Sequence, residues 1–270
     1  MADNVVNFLL VSQNEYAFKF RYRMMPYKLI LLLCVSMFTS AISLADEKAI
    51  ALLKKVDELY RSKSAIATME MTVVTPNWQR TMTLQSWSRG LDDTFIRILS
   101  PKKDRGVATL KLDQEMWNYF PKINKVIKVP PSMMMGSWMG SDFTNDDLVR
   151  EVSLVEDYHV ALSNQAASHL LTLIPKKETV TVWGKIGVEV KQDSLMPLEQ
   201  RYFNEKGMLV RSMAFDKVKE FSGRLMPARL IMTPHNKQGN ATTIEYLEME
   251  FDQDLPKNIF SLRNLQKRFN

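Results

Sequence analysis

EMWNYFPKINKVIKVPPSMMMGSWMGSDFTNDDLVRE, residues 115–151, decides how the rest of the chain folds. It starts as two short alternating runs that turn at Pro121, which predicts a strand pair, and it breaks at Pro130-Pro131. The segment beyond the prolines is too apolar for an ordinary loop. Met133, Met134, Met135, Trp138, Met139 and Phe143 fall within eleven residues, and the segment closes on an acidic helix-start signal at residues 141–147. A dense apolar insert between strands either plugs a core or covers one. The expectation is a lid over a lipid-sized cavity, with Met116 and Trp117 at the strand end of the connection.

Upstream, the period of two that marks strands begins near Ala65. Met69, Met71 and Val73 point one way while Glu70 and Thr72 point the other, and Met82 and Leu84 repeat the pattern after a turn at Pro76-Asn77. Residues 95–99 and 106–112 add two more short runs. Downstream of the insert, runs over 158–162, 169–174, 179–190, 198–203, 208–216, 224–233 and 242–251 continue the series, with hairpin loops at 204–207 and 237–240. The fold class is α+β: one large antiparallel sheet of about 10–11 strands. A sheet of that size must curl or close, so an open half-barrel is expected, with helices only at the front, middle and end.

Residues 46–63 give the clearest helix. Ala49, Ile50, Leu52, Leu53, Val56, Leu59 and Tyr60 recur at spacings of three and four, and Asp46 and Glu47 suit its positive N-terminal end. It is expected to pack one face on the sheet. Residues 256–265 read as a short terminal helix that docks through Phe260 and Leu262.

Before the first helix, Met25 to Ala45 has the three parts of an export signal: basic Lys28, an apolar run from Leu29 to Phe38, and small residues at Ser43-Leu44-Ala45. Cleavage is expected between Ala45 and Asp46, which divides the chain into a leader over 1–45 and a ligand-binding domain over 46–270, located in the periplasm. An internal start at Met24 or Met25 would give that leader an ordinary length. Cys34, the single cysteine, lies inside the apolar run, so the exported domain has no thiol for a disulfide or thiolate metal site. Residues 1–45 hold four of the 36 basic and two of the 30 acidic residues, which leaves 32 against 28. Basic residues are interleaved with acids, so no nucleic-acid footprint is visible, while transient attraction to anionic membranes stays open.

Methionine is unbranched and polarisable, so the cluster at 133–139 suits a pocket that re-packs around chains of different length. A core or lid without ligand and a Cu(I) thioether site are the other readings, but consecutive methionines diverge on any regular backbone. Gly136 and Gly140 flank the Ser137-Trp138-Met139 triplet and serve as hinges or as plain turn glycines. Asp142, Asp146, Asp147 and Glu151 read as the acidic first turn of a helix capped by Ser141 or Thr144 rather than as a metal or acid–base site. His159, His169 and His235 have no ligand spacing, and neither a nucleophile elbow nor a phosphate-binding glycine loop occurs. No catalytic residue, metal or cofactor is expected.

The runs SPKKDRGVATLKLDQEMWNYFPKINKVIKV, GSWMGSDFTNDDL, VWGKIGVEV and GRLMPARLIM resemble, in order, the LolA-like family of outer-membrane lipoprotein-sorting proteins. The resemblance implies an open curled sheet wrapped over helices around an apolar cavity for acyl chains, and no enzymatic activity. In that family a basic residue on an early strand latches the sheet to the lid; by position its counterpart is Arg89, followed here by Gly90 instead of proline. The resemblance further implies a carrier of lipoprotein acyl chains or another hydrophobic ligand moving toward the outer membrane, with an inner-membrane exporter of the resistance-nodulation-division type as a possible partner. An accessory subunit of such an exporter that never holds lipid, and an enzyme on lipid-like substrates, are the rival readings.

Overall fold

A computed structural model describes residues 47–56, 58–59, 62–90, 92–149, 154–179 and 181–267. The export signal, Cys34, the alternative starts, Tyr60 and Glu151 lie outside the described residues. Helix α1 covers 47–56 and 58–59. Six strands come after it: β1 (Ser64–Val74), β2 (Gln79–Arg89), β3 (Asp93–Ser100), β4 (Ala108–Leu112), β5 (Glu115–Phe120) and β6 (Lys125–Lys128). A 3-10 turn (Pro131–Met133), α2 (Asn145–Val149) and α3 (Leu154–Asp157) come next. The chain then returns as β7 (Tyr158–Asn164), β8 (Ser168–Pro175), β9 (Lys185–Lys191), β10 (Pro197–Phe203), β11 (Leu209–Phe221), β12 (Arg224–Pro234) and β13 (Ala241–Phe251), and ends with a 3-10 turn (Lys257–Ile259) and α4 (Leu262–Leu265). Among the described residues no helix is long and apolar enough to cross a membrane.

All thirteen strands belong to one antiparallel sheet, in the order β6-β5-β4-β3-β2-β1-β13-β12-β11-β10-β9-β8-β7. The count corrects the expectation of about 10–11, since every short run stands as a strand of its own. The run at 179–190 is the one that shrinks, to Lys185–Lys191. Gly184 explains the late start: a Cβ there would stand 2.6 Å from the Asn204 carbonyl oxygen, a closeness that only glycine allows.

Each half of the sheet is a simple meander of hairpins. The β11–β12 turn has two residues, Ser222 and Gly223, both at positive φ (47° and 81°), as a two-residue turn matching strand twist requires. The halves are joined by the first and last strands, β1 and β13, paired from Ala65 opposite Phe251 to Val74 opposite Ala241 with one register shift between Thr68 and Met69. The edges, β6 and β7, do not pair, so the sheet is open. A twisted sheet of this many strands curls into a half-barrel.

Side chains alternate across the pleat, and both faces are covered at one end. β3 is buried over Phe95, Ile96, Arg97 and Ile98 in succession. Phe95 joins Leu110 and Tyr119 beneath Phe260 and Leu265 of the C-terminal segment, and the Arg97 guanidinium donates to the Asn264 carbonyl at 2.9 Å. Burial pulls the Arg97 pKa below its ordinary value. Leu262, expected to dock, is 43% exposed; Leu265 takes its place. Ile96 and Ile98 face the other way, into a cluster with Met71, Met82, Leu84 and Trp138. On that same inner face, at the far end, Ala49, Leu53 and Val56 of α1 pack on Val160, Leu171, Leu173, Ile186 and Val188, as the helical periodicity predicts.

Candidate functional site

Leaving edge strand β6, the chain must reach edge strand β7 at the opposite end of the sheet. The described parts of that connection, residues 129–149 and 154–157, lie as a strap along the inner face, and their contacts run in the order of the strands. The Val129 amide donates to the Met116 carbonyl of β5 at 2.8 Å. Trp138 Nε1 donates to Thr109 Oγ1 of β4 at 3.1 Å, and Arg80 of β2 donates to the Met139 carbonyl. Thr242 of β13 accepts from the Asp142 amide at 2.9 Å and donates to its carboxylate at 2.8 Å. Arg211 of β11 holds the Asp147 carboxylate through Nη1 at 2.7 Å and Nη2 at 2.5 Å. The Asp157 carbonyl finally accepts from the Lys176 amide beyond β8 at 2.9 Å. A connection this long in a compact fold is usually functional.

The strap satisfies its own backbone by folding into a small hairpin. Trp138 N–H donates to Phe143 at 2.8 Å and Asn145 N–H to Gly136 at 2.9 Å, around a turn in which Met139 (φ 51°) and Gly140 (φ 76°) are both left-handed. Gly140 is needed for that turn, and a Cβ on it would also meet Arg80 Nη2 at 3.4 Å. Gly136 has no such φ, but its Cβ would stand 3.0 Å from the Met133 carbonyl oxygen. The replacement Gly140→Ala is expected to cost about 1–2 kcal/mol, the ordinary penalty of a left-handed L-residue, measured by urea unfolding against the parent protein.

Thr144 starts α2 with a reciprocal cap: the Asp147 amide donates to Thr144 Oγ1 at 3.1 Å, and the Thr144 amide donates to the Asp147 carboxylate at 2.7 Å. Asp147 therefore serves the cap and the arginine together. Arg211 is 4% exposed and lies against two rings that also touch each other, with its guanidinium carbon 4.6 Å from the Trp183 centroid and 4.4 Å from that of Tyr202. Burial opposes its charge, but hydrogen bonding to Asp147 and that carboxylate's field outweigh it, leaving the Arg211 pKa above its ordinary value. Burial likewise raises the Tyr202 phenol, so it stays neutral. The pair Arg211–Asp147 is a bidentate clasp between strap and sheet, with the arginine buried and the carboxylate partly so.

Of the sequence-derived candidates, Met116, Trp138, Met134 and Met139 come together in the cluster under the strap, and Phe143 is buried in the strap itself. Met133 and Met135 diverge from Met134 and are 60% and 42% exposed. Trp117, one residue from Met116, faces the outer side and packs near the C-terminal segment. Arg89 also lies on the outer side. It binds Asp93 through Nε at 2.9 Å, and its guanidinium stacks 4.8 Å from the Phe260 ring. The strap's turn and its α2 are instead tied to the sheet by Arg80 and Arg211. Among the described residues no three His, Cys, Asp or Glu side chains gather to hold a metal ion.

Beneath the strap the space is filled by side chains: Met71, Met82, Leu84 and Met116 are all at most 1% exposed. Beside its turn, at Met139 and Gly140, an open groove of about 390 Å³ runs along the sheet. Met82, Ile98, Val107 and Phe120 supply apolar lining, and Arg80, Lys103, Lys122 and Trp78 are also on its walls.

The fold recurs in solved structures. A DUF1329 family protein from Desulfovibrio piger superposes with a TM-score of 0.75 at 20% identity, covering 82% of this chain and 99% of that one. A domain from Vibrio parahaemolyticus, described as belonging to an outer membrane lipoprotein-sorting protein, gives 0.71 at 22% identity over 82% and 100%. A LolA superfamily protein from Nitrosomonas europaea gives 0.66 at 22% over 80% and 98%. No curated protein matches the chain. A family model described as an uncharacterized protein matches residues 90–267. The chain belongs to that family of uncharacterized proteins, and its fold is that of the LolA-like proteins.

Proposed function

We propose that the protein is a non-enzymatic periplasmic carrier that binds an acyl chain or similar apolar ligand along the inner face of its sheet and releases it toward the outer membrane. The observation that carries this reading is the strap. A Met- and Trp-bearing segment is laid over an open apolar sheet face and tied down by a few polar contacts, an arrangement suited to lifting and closing again. Methionine side chains under it, Met71, Met82 and Met116, re-pack at low cost around an inserted chain. The LolA-like fold supports the same reading by analogy.

Burying each CH₂ contributes about 0.8 kcal/mol, so one long chain is held firmly and still passes to a deeper apolar acceptor. The sequence offers no nucleotide-binding loop. Direction then comes from differences in affinity along the route, or from an inner-membrane exporter that loads the carrier. The binding test is a charge under the strap turn. With Met139→Asp, uptake of a fluorescent fatty acid is expected to fall at least tenfold while the melting temperature moves little, since Met139 is only half-buried. Unchanged uptake would remove the strap from the binding site.

A further inference from the structure

The groove beside the strap turn has more to it than apolar lining. Its walls carry three cations, Arg80, Lys103 and Lys122, and one anion, Asp104. Arg80 is occupied: it donates to the Met139 carbonyl and lies 3.9 Å from Asp104. Lys103 and Lys122 are exposed, and neither has a carboxylate partner among the described residues. Lys103 comes from the loop between β3 and β4 and Lys122 from the turn between β5 and β6. Two separate elements thus bring ammonium groups to one apolar trough. Trp78, from the β1–β2 turn, is 46% exposed at the same groove and has the Arg80 guanidinium 5.7 Å from its ring centroid.

We infer that this groove takes a single-chain amphiphile with an anionic headgroup: the chain lies on Met82, Ile98, Val107 and Phe120, and the headgroup is held by Lys103 and Lys122. The inference rests on the carrier reading and adds headgroup selectivity to it. Charge decides against a neutral head, because Asp104 offsets Arg80 and the two lysines remain. Size decides against a many-chained lipid, because about 390 Å³ is near the lower limit of small-molecule sites, roughly 300–1,000 Å³. An ammonium fits a phosphate or carboxylate as a point charge, without the fixed fork that an arginine would impose. The site therefore distinguishes charge more than headgroup shape.

The test uses the full exported protein and two probes with the same chain, dodecyl phosphate and dodecanol, both kept below their aggregation limits. Binding is read by isothermal titration and by the shift of Trp78 emission, with Trp78→Phe removing that signal. Dodecyl phosphate is expected to bind at least tenfold more tightly than dodecanol, with an advantage that shrinks as salt rises. Lys103→Glu combined with Lys122→Glu is expected to abolish the advantage while leaving dodecanol affinity unchanged. Both sites are exposed, so the fold is expected to tolerate them; Lys103→Gln with Lys122→Gln provides a milder pair showing a partial loss. Equal binding of both probes, insensitive to the lysine changes, would overturn the headgroup inference and leave the carrier reading standing. Binding of inorganic phosphate as tight as that of dodecyl phosphate would also overturn it. No binding of either probe would overturn the inference together with the carrier reading.

Discussion

Replacing Arg211 with Met is expected to lower unfolding stability by about 3 kcal/mol, the lower end of what removal of one member of a buried ion pair costs. The partner decides for the lower end: Arg211 is 5% exposed by side chain but Asp147 is 21% exposed, so the abandoned carboxylate recovers part of its hydration. For a domain of this size that is a fall of roughly 6–12 °C in melting temperature. The effect is also local. Asp147 keeps its cap on Thr144, so α2 survives while its tie to β11 is lost, and amide exchange over 142–149 is expected to accelerate more than exchange in β1 and β13. The double replacement Arg211→Met with Asp147→Asn is expected to recover stability relative to Arg211→Met, since it leaves no charge unpaired and keeps an oxygen to accept from the Thr144 amide. A single-variant loss below about 1 kcal/mol, the scale of an exposed pair, would show that the strap is held elsewhere.

Trp138→Ala is expected to cost about 3–5 kcal/mol, the usual range for truncating a buried aromatic side chain. Trp138 is 4% exposed and packs with Met71, Met82, Leu84 and Met116, and its indole N–H is bound by Thr109. Truncation leaves an apolar void walled largely by methionine and leucine. Such voids stay dry and admit small apolar molecules, so the variant is expected to bind benzene that the parent excludes, and to regain melting temperature in its presence. Loss of stability without benzene binding would mean that the methionines collapse into the space. That outcome would support the adaptability the carrier reading requires, whereas unchanged stability would contradict the burial of the strap.

The features legible in the chain are those that repeat locally. Met69, Met71 and Val73 against Met82 and Leu84 mark two strands and their inward face, and those residues do face the strap. The hairpin loops at 204–207 and 237–240 fall where the strands turn. The junction of β1 with β13 was not legible, because nothing local encodes a pairing of residues 65–74 with 241–251. Arg80 and Arg211 were missed for a different reason: each looks like a solvated strand arginine. A signal did exist. Arg80 shares parity with Met82 and Leu84, and Arg211 with Met213, which places a charge on the inward face where an apolar residue would stand. Arg89, chosen by family position, shares parity with Trp87 and faces outward. Parity separates a strap clasp from an outer-face pair where resemblance does not.

The most direct measurement of the carrier reading is native mass spectrometry of the protein expressed from its full chain, recovered from the periplasm without detergent, with solvent extraction of the same sample. The reading predicts a reproducible adduct on the folded protein whose extract contains acyl chains, lost or reduced in Met139→Asp. A clean mass with no adduct, and no uptake of added fatty acids or phospholipids, would contradict it and favour an exporter-accessory subunit that holds no lipid.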